Sequence, residues 1–175
     1  MPDFFKKIVE TQGTVEQVVR RIPGFRGYFE REDRRMADRL LREKLALVME
    51  EQLGEFTRLQ KRLVDGGGIG YMERVRGVDS KLRTFIDKIE SAGSGYAGLF
   101  DAVKIDEAAL ARVYAFDTSL LAYGDQLAAG LKRLGEAIGS DDVGEVLDGL
   151  EVVVGEAVNT FNHRVEAMRG MQDAV

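Results

Sequence analysis

This sequence predicts a single all-α domain, an antiparallel bundle of four main helices preceded by a short one. Three observations carry that expectation. Only two prolines occur in 175 residues, Pro2 and Pro23, so no interior helix breaker follows residue 23. Apolar residues recur in steps of three and four over four long segments, which fits one face of a helix and not an alternating strand. Hydrophobic residues make up 45% of the chain and charged residues 31%. That is enough to build one core beneath a wet surface, at a length that folds as one domain over residues 1–175.

The elements follow in order. Thr14 to Ile22 is a short amphipathic piece whose T-x-x-Q opening, Thr14 to Gln17, resembles a capping box. Ile22-Pro23-Gly24 suits a type II turn that ends it. The longest helix is expected over 30–64, with Met36, Leu40, Leu41, Leu45, Met49, Phe56, Leu59 and Leu63 at helical spacing. DGGGIG at 65–70 then links tightly to a second helix over 71–92, which repeats the pattern from Val75 to Ile89. Asp106 offers an N-cap for a third over 107–138, and Gly139 a left-handed stop. Ser140 or Asp141 caps the fourth, over 141–170. The link SAGSGYAGLFDAVKID at 91–106 is longer and more apolar than a solvated loop requires. Its Tyr96 and Phe100 are expected to cover an open end of the bundle, or else to contact a partner.

Composition removes several functions. The chain has no cysteine, which excludes disulfides and thiolate chemistry and points to a reducing compartment. The expected place is the cytoplasm, at most peripheral to the inner membrane face. No run approaches the roughly 18 apolar residues of a membrane span, and MPDFFKKIVE lacks a secretory apolar core. GGGIG has neither the preceding strand nor the spacing of a nucleotide loop. The single histidine, His163, falls opposite Leu150 and Phe161 on its helix. It supplies neither a di-iron carboxylate set nor a base for a nucleophile. No catalytic residue, metal or cofactor is therefore expected.

Two charges sit inside apolar stripes. Asp117 shares a face with Val113, Leu120 and Gly124, and Arg164 with Leu150, Phe161 and Met168. A fold-back about Gly139 brings the two level, so an interhelical Asp117–Arg164 ion pair is expected, selecting register within the bundle. A pocket near Asp117, serving an enzyme or small-ligand binder, is the alternative. Gly124, Ala128 and Gly135 place small residues on the same helix's seam, where they permit close helix approach.

Residues 20–42 hold eight arginines, four carboxylates and no lysine. On a helix, Arg31, Arg42, Arg35 and Arg39 fall within about 80°, with Met36, Leu40 and Leu47 on the opposite side. They read as an outward stripe that Arg26 extends, flanked by the counter-charges of Glu32, Asp38 and Glu43. Arginine throughout favours bidentate carboxylate or phosphate contacts over mere solubility. The leading expectation is a non-catalytic interaction or scaffold protein that uses this stripe for a protein partner or for self-association. Residues 1–100 carry 19 basic and 16 acidic side chains and residues 101–175 carry 6 and 14, so copies have surfaces of opposite sign to offer. Weak contact with an anionic membrane, aided by Phe4, Phe5, Lys6 and Lys7, is an alternative. Nucleic acid is disfavoured by the net charge of −5.

The runs IPGFRGYFEREDRRMADRLLREKL and GYAGLFDAVKIDEAALARVYAFD resemble a family of uncharacterised bacterial all-helical proteins. The resemblance spans about residues 9–161. It implies a helical intracellular bacterial protein and carries no activity, cofactor or catalytic residue to transfer.

Overall fold

The computed structural model describes residues 14–27, 34–92 and 107–170. Five α-helices account for most of them: α1 (Thr14–Arg21), α2 (Arg34–Asp65), α3 (Met72–Ser91), α4 (Glu107–Ala137) and α5 (Val143–Gly170). The described residues contain no strand, and none of their helices is long and apolar enough to cross a membrane. Arg31, Tyr96 and Phe100, like Phe4 to Lys7, lie outside the described residues.

Turn chemistry sets the boundaries. The Phe25 N–H donates to the Ile22 carbonyl at 3.1 Å and Gly24 has φ 82°, the hydrogen bond and left-handed second corner of a type II turn. Pro23 fixes the first corner and glycine takes the second without steric cost. At the other hairpin Gly139 has φ 94°, which ends α4. The Ser140 N–H and hydroxyl both donate to the Ala137 carbonyl at 2.9 Å, and the hydroxyl accepts the Asp142 N–H at 3.3 Å. These bonds occupy 140–142, so α5 begins at Val143 rather than at 141.

Two hairpins form the bundle. Helix α2 packs against α3 and α4, and α5 packs against the same two, leaving α2 across the diagonal from α5 and α3 from α4. Within each hairpin the helices run antiparallel. Between hairpins they run parallel: Arg74–Asp148 and Lys81–Glu151 climb α3 and α5 together, and Val48 and Leu59 meet α4 at Gly124 and Gly135. The connection from Ala92 to Glu107 thus joins diagonal corners, which demands more chain than the link from Asp65 to Met72 between neighbours.

Phe56, Phe85, Phe161, Leu41, Leu45 and Leu82 fill the centre. Helix α1 belongs to this core, since Val18, Ile22 and Phe25 are buried and Phe25 meets the Tyr114 ring edge-on at 6.4 Å. Arg21 adds a two-pronged contact to Asp125 of α4, at 2.7 and 2.8 Å. Small residues set one helix spacing: a Cβ on Gly124 would stand 2.7 Å from Val48 Cγ1, so only glycine lets α2 approach α4 there. A Cβ on Gly135 would stand 3.3 Å from Leu59 Cδ2, a milder conflict that a small shift of the leucine relieves. Ala128 differs from expectation: it is exposed and takes no part in the seam.

Between α2 and α3 the Asp79 carboxylate accepts bonds from Arg83 at 2.7 Å and from Gln60 at 3.3 Å. The Arg83 hydrogen bond holds Asp79 below the usual carboxylate range. A carboxylate with a depressed folded-state pKa stabilises the fold above its unfolded pKa, and this contribution is lost as pH falls through the folded value. The Asp79→Asn protein should therefore lose stability at neutral pH, by about 1 kcal/mol or less for a pair this open to water. It should also show a shallower decline below about pH 4 than the parent, which thermal melts across a pH series would register.

Candidate functional site

The charged groups of α2 divide into a buried set and an outward set. The helix turns Arg34, Ala37, Asp38, Leu41, Leu45 and Met49 inward, along steps of three and four. Arg34 and Asp38 therefore continue the core stripe, while Met36 and Leu47 are 54% and 50% exposed. This rotates the buried face by roughly 100°, nearly a third of a turn, from the expected orientation. Asp38 is no surface counter-charge, and Arg42 is no outward residue: its side chain is only 16% exposed, and its Nε donates to Asp38 Oδ2 at 2.9 Å.

Arg164 of α5 lies at the centre of the buried set. Its Nε donates to Asp117 Oδ1 on α4 at 2.5 Å, and its Nη2 reaches across the bundle diagonal to Asp38 Oδ1 on α2 at 3.0 Å. Arg164 and Asp117 have no exposed side-chain surface, and Asp38 retains 2%. One guanidinium thus ties three helices. A planar fork suits that task, because it presents donors along two edges while a lysine ammonium offers a single point of charge. Asp38 completes its own pairing through Arg42, so the network alternates in sign from Arg42 to Asp117. The spacing Arg34, Asp38, Leu41, Leu45 carried the missed signal, since charged residues at steps of four and three extend an apolar stripe.

The outward set has another character. Met36, Leu40, Glu43 and Leu47 recur at steps of four, three and four along one line of α2, beside exposed Arg35 and Arg39. Leu40 is half-buried, and Gly24 sits against it. Arg39 Nε donates to Glu43 Oε1 at 2.7 Å, a bond that raises the guanidinium further above its ordinary range and keeps it charged. Two open clefts flank the line. One, about 420 Å³, is lined by Gly24, exposed Arg26, Met36, Ala37 and Leu40. The other, about 600 Å³, lies towards α3 and is lined by Arg42, Glu43, Ala46, Leu47, Glu50 and Glu90. Asp117 lines neither. Of the predicted stripe, Arg26, Arg35 and Arg39 face solvent, Arg42 is drawn inward, and Arg31 lies outside the described residues.

His163 is exposed, with its ring 6.5 Å from that of Phe116. Among the described residues no group of histidine and carboxylate side chains is placed to hold a metal ion. Comparison with protein-family models, with curated proteins and with solved structures finds no match to this chain.

Proposed function

We propose that this chain is a non-catalytic interaction protein whose contact surface is the outward line of α2, and that its partner is a protein segment offering apolar side chains and carboxylates. The single observation that carries this reading is the exposure of Met36 and Leu47 on the same helix face as Arg35 and Arg39. Methionine and arginine are favoured where proteins meet, since one adapts to an irregular apolar surface and the other forks onto carboxylates. The flanking clefts give apolar anchors somewhere to seat. A chain without cysteine needs no oxidising compartment to fold, so we place this contact inside the cell.

The buried network decides which variant tests the proposal. Arg42 must stay, because replacing it strips Asp38 of a partner and confounds binding with folding. The test pairs Met36→Ser with Leu47→Ser and compares capture of partners from the native cell with that of the parent. Loss of capture with an unchanged melting curve is expected. Undiminished capture overturns the assignment of this face, and so does co-sedimentation of the parent with phosphatidylserine vesicles that the double variant abolishes, which makes the surface a membrane contact.

A further inference from the structure

We propose that a second copy of this chain docks on the groove between α4 and α5, forming a two-fold dimer whose axis runs along the bundle. The groove, about 590 Å³, lies on a different face from the α2 line and is independent of it. Its base is apolar, with Val146 and Leu150 buried, and its sides are formed by Ala129, Gly130, Gly149, Val152 and Val153. Val152 is 59% exposed, and Gly149 has nothing within 4 Å of where a Cβ would stand, so a facing helix can come close. Of the residues that line the groove, the charged ones gather at one end, where Arg133 of α4 sits with Glu145 and Asp148 of α5, while exposed Glu156 stands one turn beyond Val152 at the other.

Register makes this pattern self-complementary. Gly130 abuts Leu150, and the two helices run antiparallel, so Ala129 lies level with about Val152, and Arg133 lies level with a point between Glu145 and Asp148. A two-fold axis along the bundle preserves height and exchanges sides. It sets α4 of one copy over α5 of the other, with Ala129 against Val152 and Arg133 against Glu145, twice over. Asp148 is already held by Arg74 of its own chain at 2.8 Å, which leaves Glu145 as the acceptor. A two-fold axis across the bundle would instead carry Arg133 towards the opposite end of the groove, which Gln126 lines and where the neighbouring carboxylate, Asp125, is already held by Arg21 of its own chain. Opposite charges meeting at one end and small apolar residues beyond them are what an isologous helical interface needs.

Sedimentation equilibrium of the full chain tests the proposal, with thermal melts to show that each variant is folded. The parent should dimerise, and Val152→Lys should leave it monomeric. Arg133→Glu and Glu145→Arg should each weaken self-association by about tenfold or more, because each sets like charges face to face twice. An equimolar mixture of these two variants should associate as the parent does, since every facing pair in the mixed dimer is again opposite in sign. No effect on folding alone produces that rescue. A parent that stays monomeric at about 0.1 mM, a dimer indifferent to Val152→Lys, or a mixture no tighter than its components each overturns the proposal.

Discussion

Replacing Arg164 by methionine should cost about 3–5 kcal/mol, because it takes from the fully buried Asp117 carboxylate the guanidinium that neutralises it at contact distance. For a chain of this size that lowers the melting temperature by roughly 6–20 °C, and the urea midpoint should fall while the slope stays constant. Asp38 is partly protected, since Arg42 remains on its second oxygen at 2.9 Å. The ordering of variants is diagnostic. Arg164→Met alone should be worst, and Arg164→Met with Asp117→Leu should recover most of the loss, because removing both members of a buried ion pair is far cheaper than removing its cation alone. The deficit should also shrink on acidification. A buried carboxylate stripped of its guanidinium is driven towards the neutral form, so the folded variant binds more protons than its unfolded chain and its stability falls as pH rises. If Arg164→Met melts with the parent at neutral pH, the network contributes nothing to the fold. What it would then leave unexplained is why three helices converge on one guanidinium.

The residues that revealed this network and those that hid its extent obey the same rule. Asp117 and Arg164 stand out because each interrupts a stripe whose other members are Val, Leu, Phe and Met, so the helical wheel locates both charges inside the core. In the first turns of α2 the stripe itself is charged, with Arg34 and Asp38 buried and Met36 and Leu47 exposed. A count of apolar residues there points to the wrong side of the helix. Only further along, at Leu41, Leu45, Met49 and Phe56, does hydrophobicity report the true face. The helices and turns were legible because helix periodicity, Pro23, Gly24 and Gly139 act locally. The order of helices around the bundle was not, since every one of the four long segments has a seam and nothing in a seam names its neighbour. The length of the 91–106 link was the one hint of a diagonal crossing.

That misreading of α2 has a functional consequence. Were Met36 and Leu47 core residues, the arginines would be a plain solvated face balanced by Glu43. With these side chains outward the same segment becomes mixed in character, with Met36, Leu40 and Leu47 in a line that Glu43 interrupts and Arg35 and Arg39 along one edge. Asp38, held by Arg164 and Arg42, pins the opposite side of those turns to α5. The outward line is thereby presented on a fixed backbone, which lowers the ordering cost that a partner would otherwise meet.

The second large effect is expected at Phe161, whose truncation to alanine should cost about 3–5 kcal/mol. Phe161 of α5 is 2% exposed and meets Phe85 of α3 edge-to-face, with ring centres 5.9 Å apart and planes at 76°. The other links between these parallel helices are open to water: Arg74–Asp148 and Lys81–Glu151 have side chains 34–56% exposed, and Lys88 reaches Asn162 only at 3.4 Å. Exposed pairs of this kind are worth up to about 1 kcal/mol each, so apolar packing holds the seam and the salt bridges decorate it. Lys81→Ala should accordingly shift the urea midpoint far less than Phe161→Ala. A double-mutant cycle with Phe85→Ala should return a coupling of about 0.5–1.5 kcal/mol beyond the area each ring buries. Because α3 joins α2 and α5 but not α4, loosening this seam should quicken amide exchange in the last turns of α3 before it does so in α4. Uniform acceleration throughout the bundle would show instead that the four helices open as one unit, with Phe161 reporting only on their shared core.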